Sequence, residues 1–159
     1  MAPGYAVGVS IETPEELQGL RASGRVVAEA LRAMPRAVRP RVTTADLDAI
    51  AARIFRRAGA RSAPQLTYGF PGVTCISVND EAVHGIPGPR RLREGDLVKL
   101  DVAAELDGFY ADACVSLGVG RGLHEAPDDW TVCTADGALS AHEEQTIVIT
   151  TGAPVVLTA

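Results

Sequence analysis

The sequence contains little of several residue types, and each scarcity excludes a class of protein. Its three cysteines cannot all pair and none has C-x-x-C spacing, so neither a disulfide framework nor a structural zinc knuckle is expected. The 15 Lys and Arg residues against 20 Asp and Glu give a net charge of −5, which argues against a nucleic-acid partner bound through phosphate contacts. No apolar run approaches the ~18 residues that cross a bilayer, and the N-terminus lacks the basic and apolar segments of an export signal. We therefore expect a cytoplasmic protein with no membrane and no nucleic-acid partner.

The composition that remains is typical of a folded domain. The chain has 159 residues, of which 47% are hydrophobic, and this is enough to bury the core of one domain. Residues 1–10 show no helical or strand pattern, so we expect a flexible lead-in there. Residues 11–159 are expected to form a single domain.

Two helices are predicted in the N-terminal part of the chain. The first begins after Thr13, a good N-cap with Glu16 at the position of a capping box, and ends before Pro35. The second begins after Thr43 and ends near Gly59, which is a suitable C-cap.

After Pro64 the pattern changes to short β-branched runs separated by Gly and Pro, which predicts strands. Two helices followed by antiparallel strands indicate an α+β fold in which the helices pack on an antiparallel sheet. The predicted strands are 73–78, 82–86, 97–106, 109–117, 144–150 and 155–157.

The clearest local signal is Asp107-Gly108, a dipeptide typical of a two-residue β-hairpin turn. With Leu106 opposite Phe109, one face of the hairpin is entirely apolar, and a slip of one residue would destroy this arrangement. That face contains Val98, Leu100, Val102, Ala104, Ala111, Ala113, Val115 and Leu117. The apolar face therefore predicts the pairing register as well as the turn.

Two carboxylates share the opposite face of this hairpin. Asp101 would lie opposite Cys114 and Asp112 opposite Ala103, which makes the aspartates diagonal neighbours ~7–8 Å apart at the backbone. Carboxylates so placed repel each other unless they are solvated, protonated or bridged by a cation. The geometry leaves two interpretations open, a solvated polar sheet face and a site for a divalent metal.

Two further residues have both a structural and a functional interpretation. Glu144 would share a strand face with His142 and Thr146, either as a third carboxylate ligand or as a charge that protects an edge strand. His84 lies among Gly and Pro residues that restrict its backbone, and it either contacts a substrate or is structural.

Taken together, these segments resemble the type I methionine aminopeptidases, metalloenzymes with the pita-bread fold. The resemblance covers nearly all of the chain from residue 11 onward and implies a partial pita-bread fold. The segments that carry it are IETPEE (11–16), CISVN (75–79), VHGIP (83–87), GDLVKLDV (95–102), DGFYAD (107–112), WTV (130–132) and SAHEEQTI (140–147).

The resemblance implies a metal-dependent aminopeptidase. By that resemblance Asp101, Asp112 and Glu144 would be metal ligands, and His84 would be the catalytic histidine beside the scissile bond. The implied cofactors are two divalent ions, among which the sequence does not choose between cobalt, manganese, iron and zinc. The implied partners are the N-terminal segments of nascent proteins, from which the family removes the first methionine.

Three more residues match positions that line the family's pocket for the methionine side chain. These are Phe70, Cys75 and Trp130. An apolar pocket with a soft thiol suits an unbranched thioether.

The chain departs from the family pattern in its second half. Most of that half is absent at a junction near residues 120–129, so that 11–159 would be a truncated domain. Two of the family's five ligand residues, a histidine and a glutamate, then have no counterpart. His124 in the junction and His142 in the closing segment are the candidates to replace a lost ligand.

Three functional hypotheses follow from these departures. The chain is a methionine aminopeptidase, a catalytically inactive relative that binds a peptide or protein, or a deletion product without function. A complete ligand set would favour the enzyme, and we predict that the chain alone is a poor aminopeptidase. The surface left by the missing half is expected to favour self-association, because large apolar patches rarely stay exposed.

Overall fold

The computed structural model describes residues 11–115, 123–140 and 144–159, so the predicted lead-in of residues 1–10 lies outside it. In these ranges lie the α-helices Pro14–Ala33 (α1), Thr44–Ala58 (α2) and Ala63–Tyr68 (α3). The strands are Arg61–Ser62 (β1), Cys75–Val78 (β2), Glu81–Val83 (β3), Val98–Leu106 (β4), Phe109–Val115 (β5), Leu123–Glu125 (β6), Val132–Thr134 (β7), Glu144–Gln145 (β8), Ile147–Val148 (β9) and Val155–Val156 (β10).

The first two helices begin and end as their capping residues predict. The hydroxyl of Thr13 accepts the backbone N–H of Glu16 at 3.1 Å, and the Glu16 carboxylate accepts the backbone N–H of Thr13 at 3.0 Å. The same reciprocal pair joins Thr43 and Asp46 at the start of α2. Gly59 ends α2 with φ of 72°, a left-handed conformation that glycine adopts without strain.

A third helix, α3, was not predicted, and it lies between α2 and the predicted strand 73–78, which the structure confirms as β2. The Ser62 hydroxyl accepts the N–H of Gln65 and caps the helix, and Pro64 lies in the first turn, where a missing N–H costs nothing. Gly69 then ends the helix in a left-handed conformation. A six-residue helix is too short to show the helical periodicity on which the sequence prediction depends.

The main sheet contains the predicted hairpin. Its strand order is β1-β4-β5-β8, and β2 also pairs with β4. Leu106 lies opposite Phe109, which confirms the predicted register. The apolar face is buried at Leu100, Val102, Ala104, Ala111 and Ala113. The predicted pairing of Leu117 lies outside the described residues.

The core lies between this apolar face and the first two helices. Val27, Met34 and Leu47 are completely buried there with the hairpin side chains. A buried hydrogen bond, in which the Ser23 hydroxyl donates to the Ala104 carbonyl at 3.1 Å, fixes α1 on β4. The helices thus cover one face of the hairpin and leave the carboxylate face for the site.

Two smaller sheets complete the described fold, one in the order β3-β7-β6 and one formed by β9 and β10. The predicted strand 144–150 is divided at Thr146, whose N–H bonds to the Thr158 hydroxyl at 3.2 Å. The first part, β8, pairs with β5, so the closing segment docks on the hairpin. Within the described ranges, no helix has both the length and the apolar character that crossing a membrane requires.

Candidate functional site

A cavity of about 570 Å³ opens on the carboxylate face of the hairpin. Its wall includes six of the seven residues that the sequence analysis assigns to a site. These are Phe70, Cys75, His84, Asp101, Asp112 and Trp130. Residues from five separate parts of the chain therefore meet in one concave space, which is the usual form of a small-ligand site.

Asp101 and Asp112 lie on the same face of neighbouring strands. Asp101 is opposite Cys114 and Asp112 is opposite Ala103, as the register predicts. Asp101 is largely buried and Asp112 is exposed. Asp112 is close enough to Asp101 to act on its pKa. Neighbouring carboxylates repel each other unless they are solvated, protonated or bridged by a cation.

The electrostatic environment of Asp101 reflects this contact. Burial raises the pKa of Asp101, and the negative charges of Asp112 and Glu144 raise it further. Hydrogen bonding with Asp112 raises the pKa of Asp101 as well, by a smaller amount. Because a bound cation would relieve the same repulsion, the pair has the donor chemistry of a site for a hard or borderline divalent ion.

Glu144 approaches the aspartates from the closing segment. It lies in β8 directly opposite Cys114, one strand away from Asp101, and its charge acts on Asp101. Its side chain is exposed and does not line the cavity. Within the described residues, no group of three or more His, Cys, Asp and Glu side chains is arranged to hold a metal ion. The donors thus suit a divalent ion in kind, whereas the described residues alone do not assemble a three-ligand cage.

The interpretation of this face as a solvated polar surface holds only in part, since Asp112 and Tyr110 are exposed and three other residues are buried. Lys99, Ala103 and Cys114 on that face are each at most 8% exposed, because other segments cover them. Cys75 and Cys114 flank Asp101 on its two sides across the sheet. Burial, and then the charge of Asp101, raise the pKa of both thiols, so neither is an activated nucleophile.

His84 is presented to the cavity by a tightly anchored turn. Its φ is 59°, a left-handed conformation that is uncommon for a residue other than glycine. On one side Gly85 is fixed by a hydrogen bond from its N–H to the Ser77 hydroxyl at 3.0 Å and by one from the Ile76 N–H to its carbonyl at 2.8 Å. The His84 side chain remains exposed and is therefore accessible to a ligand.

The apolar end of the cavity is formed by an aromatic pair. The rings of Phe70 and Trp130 meet edge to face, with centroids 5.2 Å apart and an interplanar angle of 83°. Phe70 and Cys75 are 3% and 5% exposed, so this end is a firm apolar wall. Trp130 is partly exposed, as expected of a residue at the rim.

The structure adds cavity residues that the sequence analysis did not assign. Tyr68 lines the cavity from α3, and it was missed because α3 itself was missed. Tyr110 and Thr146 also line it, and the signal that could have identified them is their spacing of two residues from Asp112 and Glu144 in the predicted strands. Thr146 anchors Asp112, because its hydroxyl donates to the Asp112 carbonyl at 2.7 Å and accepts its N–H at 2.8 Å.

Neither candidate replacement ligand is part of this arrangement as described. His124 is exposed on β6 opposite Cys133 and does not line the cavity. His142 lies outside the described residues. A replacement ligand thus stays a prediction for His142, whereas His124 is not in the site.

Comparison with known proteins identifies a family. The profile of metallopeptidase family M24 matches residues 18–153. The methionine aminopeptidase of Staphylococcus epidermidis is 50% identical over 111 residues, which are 70% of this chain and 44% of that protein. Methionine aminopeptidase 2 of Bacillus subtilis is 48% identical over 113 residues, which are 70% of this chain and 45% of that protein. The chain thus spans about 45% of the length of the curated relatives it matches.

Solved structures show the same fold. The methionine aminopeptidase of Thermotoga maritima superposes with a TM-score of 0.88 at 23% identity, covering 95% of this chain and 99% of that one. The prolidase of Pyrococcus furiosus superposes with a TM-score of 0.56 at 20% identity, covering 70% of this chain and 32% of that one. The predicted pita-bread fold and the predicted resemblance to methionine aminopeptidases are both confirmed. The chain belongs to metallopeptidase family M24.

Proposed function

We propose that this chain is a methionine-aminopeptidase-like metallopeptidase that binds the N-terminal segments of nascent proteins in the cytoplasm and hydrolyses them poorly. The observation that carries the proposal is a cavity in which an apolar wall, an accessible histidine and two neighbouring carboxylates meet. In one ligand, the apolar wall can receive an apolar side chain, the histidine can donate a hydrogen bond to a peptide carbonyl, and the carboxylates can bind a positively charged group.

Each part of the cavity has a role toward the peptide. Phe70, Cys75 and Trp130 receive the side chain of the first residue, because a firm apolar wall with a thiol suits an unbranched thioether. His84 donates a hydrogen bond to the first peptide carbonyl or positions the leaving amine. Its anchored turn holds the imidazole at a fixed place, which is the condition for such a role.

The carboxylates are the groups that would hold metal. Asp101 and Asp112 would be the principal ligands, with Glu144 approaching from β8, and cobalt, manganese, iron and zinc all suit such donors. When bound, divalent ions supply Lewis-acid polarisation of the scissile carbonyl and activation of water. Poor hydrolysis is expected because the family's histidine ligand and a further glutamate ligand have no counterpart, and ligand loss lowers metal affinity and activity together.

A second candidate is a peptide-binding module without hydrolysis. It is favoured by the difference between the two halves of the site, since the apolar wall is assembled while the described donors form no three-ligand group. Such a protein would still select peptides by their first side chain.

Self-association is a further part of the proposal. The β9–β10 sheet and the adjoining Ile149 present apolar side chains to solvent, with Ile147 47%, Ile149 78% and Val156 45% exposed. A patch of this kind supports contact with a second copy, which size-exclusion chromatography over a range of concentrations would detect.

The test combines metal content with turnover. The purified chain is loaded with each of the four metals, its bound metal is measured, and release of methionine from a Met-Ala-Ser peptide is followed. Asp101→Asn and Asp112→Asn remove the carboxylates, and Asp107→Asn makes the same charge change in the turn of the same hairpin as a control. We expect weak metal binding and slow release that only the first two variants lower. Rapid release that these variants abolish would refute the incomplete site, and no binding of the peptide would refute the proposal.

A further inference from the structure

The turn between β6 and β7 contains Trp130, the one tryptophan of the chain. It spans residues 126–131 and is closed by a hydrogen bond from the Ala126 N–H to the Thr131 carbonyl at 2.8 Å. Both strands of the hairpin are only three residues long. So short a ladder fixes the turn weakly, and other contacts must hold the indole in place.

The carboxylate of Asp128 makes these contacts. One oxygen, Oδ1, accepts the backbone N–H of Trp130 at 2.9 Å and that of Thr131 at 2.7 Å. The other, Oδ2, accepts the Thr131 hydroxyl at 2.6 Å. Three hydrogen bonds to one ionised group are stronger than three between neutral groups, so this carboxylate organises the turn.

The same contacts connect the turn to the rest of the cavity. The Thr131 hydroxyl lies 3.4 Å from the carbonyl of His84, and the indole of Trp130 meets the ring of Phe70. Asp128 itself does not line the cavity. It therefore acts on the ligand only through the residues that it holds.

A matching arrangement supports the opposite wall. The Asp48 carboxylate accepts the N–H and the hydroxyl of Thr74, both at 2.8 Å, and the N–H of Val73 at 3.2 Å. These residues directly precede Cys75 in the wall. Each wall of the apolar end is thus held by an aspartate that binds a threonine hydroxyl and two backbone N–H groups.

We propose that Asp128 is a positioning residue that sets the preference of the cavity for a methionine side chain by holding Trp130 against Phe70. This inference rests on the proposed function. Without the carboxylate, the N–H groups of Trp130 and Thr131 lose their acceptor and the indole leaves the edge-to-face contact. The first side chain of a peptide then loses one of its apolar walls, whereas the rest of the peptide keeps its contacts.

The experiment uses the full chain and the fluorescence of its single tryptophan. Asp128→Ala removes all three hydrogen bonds, and Asp128→Asn keeps an acceptor oxygen for the backbone N–H groups. Asp129→Asn is the matched control, since it makes the same charge change one residue away, at a position of φ 61° that asparagine tolerates. For each protein, Trp130 emission and the affinities for Met-Ala-Ser and Ala-Ala-Ser peptides are measured.

We expect Asp128→Ala to shift Trp130 emission to longer wavelength and to weaken Met-Ala-Ser binding about tenfold, with a change of about twofold or less for Ala-Ala-Ser. Asp128→Asn should restore most of the preference, and Asp129→Asn should leave it unchanged. A general loss of structure would weaken both peptides alike and would refute the inference. An unchanged preference in Asp128→Ala would also refute it while leaving the proposed function intact. If the unmodified chain shows no preference for Met-Ala-Ser, the proposed function itself fails.

Discussion

Replacing Asp101 with asparagine should raise the free energy of unfolding of the metal-free chain at neutral pH. The folded chain places this carboxyl under cover, in contact with Asp112 and within the field of Glu144. Asparagine has nearly the same shape and can donate a hydrogen bond to the Asp112 carboxylate. It does not ionise, so the repulsion among the three carboxylates is reduced.

The pKa shift gives the size and the sign of this effect. Burial first, and then the neighbouring charges, raise the pKa of Asp101 from 3.8 to about 8. The folded chain therefore keeps a proton that the unfolded chain releases, and its stability falls as pH rises from about 4 to about 8. At about 1.4 kcal/mol for each pKa unit, the loss between pH 4 and pH 7 is at most about 4 kcal/mol. Since Asp112 is exposed to water that screens it, we expect a gain of about 1–3 kcal/mol for Asp101→Asn near pH 7.

Urea unfolding in the presence of a chelator at pH 5.5 and pH 8 measures this gain. The unmodified chain should lose stability between the two pH values, and Asp101→Asn should lose less. Asp96→Asn is a control of opposite sign, because hydrogen bonds from Asn79 and from the Arg93 N–H lower the pKa of Asp96. That variant should be less stable than the unmodified chain at both pH values. If Asp101→Asn is no more stable than the unmodified chain at pH 8, the account of the carboxylate pair is wrong.

Two further substitutions test the framework around the site. Gly85→Ala should destabilise the chain by several kcal/mol and lower its affinity for peptide, because an added Cβ would lie 2.4 Å from the Ile76 carbonyl oxygen. Thermal unfolding measures the loss of stability, and an unchanged unfolding midpoint would contradict the prediction. Glu105→Gln should cost about 1–3 kcal/mol at pH 7, because the buried carboxylate accepts Arg61 Nε at 2.7 Å and the Gly108 N–H at 2.6 Å. The hydrogen bond from Arg61, and then that from the Gly108 N–H, lower the pKa of Glu105. The difference in urea stability between the unmodified chain and Glu105→Gln should therefore shrink as pH falls below about 4. A difference that stays constant with pH would refute this prediction.

The parts of the site that the sequence predicts are those that local structure determines. Asp101 and Asp112 belong to one hairpin with a two-residue turn, and an all-apolar face allows a single register. Their relative placement therefore needs no knowledge of the rest of the fold. The ends of α1 and α2 are predictable for the same reason, since each capping box lies within four consecutive residues.

Contacts between distant segments could not be predicted in this way. Phe70 and Trp130 are 60 residues apart, and no periodic pattern joins them, so only the resemblance to a family placed both in one pocket. The position of Glu144 depends on how two residues of β8 pair with β5, and such a short pairing has no signature in the sequence. The covering of Lys99 and Cys114 is likewise a tertiary effect, and the sequence alone did not decide between a solvated face and a covered one.

The two halves of the cavity differ in how they are built. The apolar wall is assembled from α3, the loop before β2 and the β6–β7 turn, all within the described chain, and each part has its own supporting hydrogen bonds. The carboxylate half has a firm pair in the hairpin, whereas its third member is exposed on a two-residue strand. Selection of a peptide by its first side chain and hydrolysis of its first bond therefore place different demands on this chain. Because the wall needs only packing and backbone hydrogen bonds, while the metals need several ligands at fixed positions, we expect peptide binding by this chain to be stronger than its hydrolysis is fast.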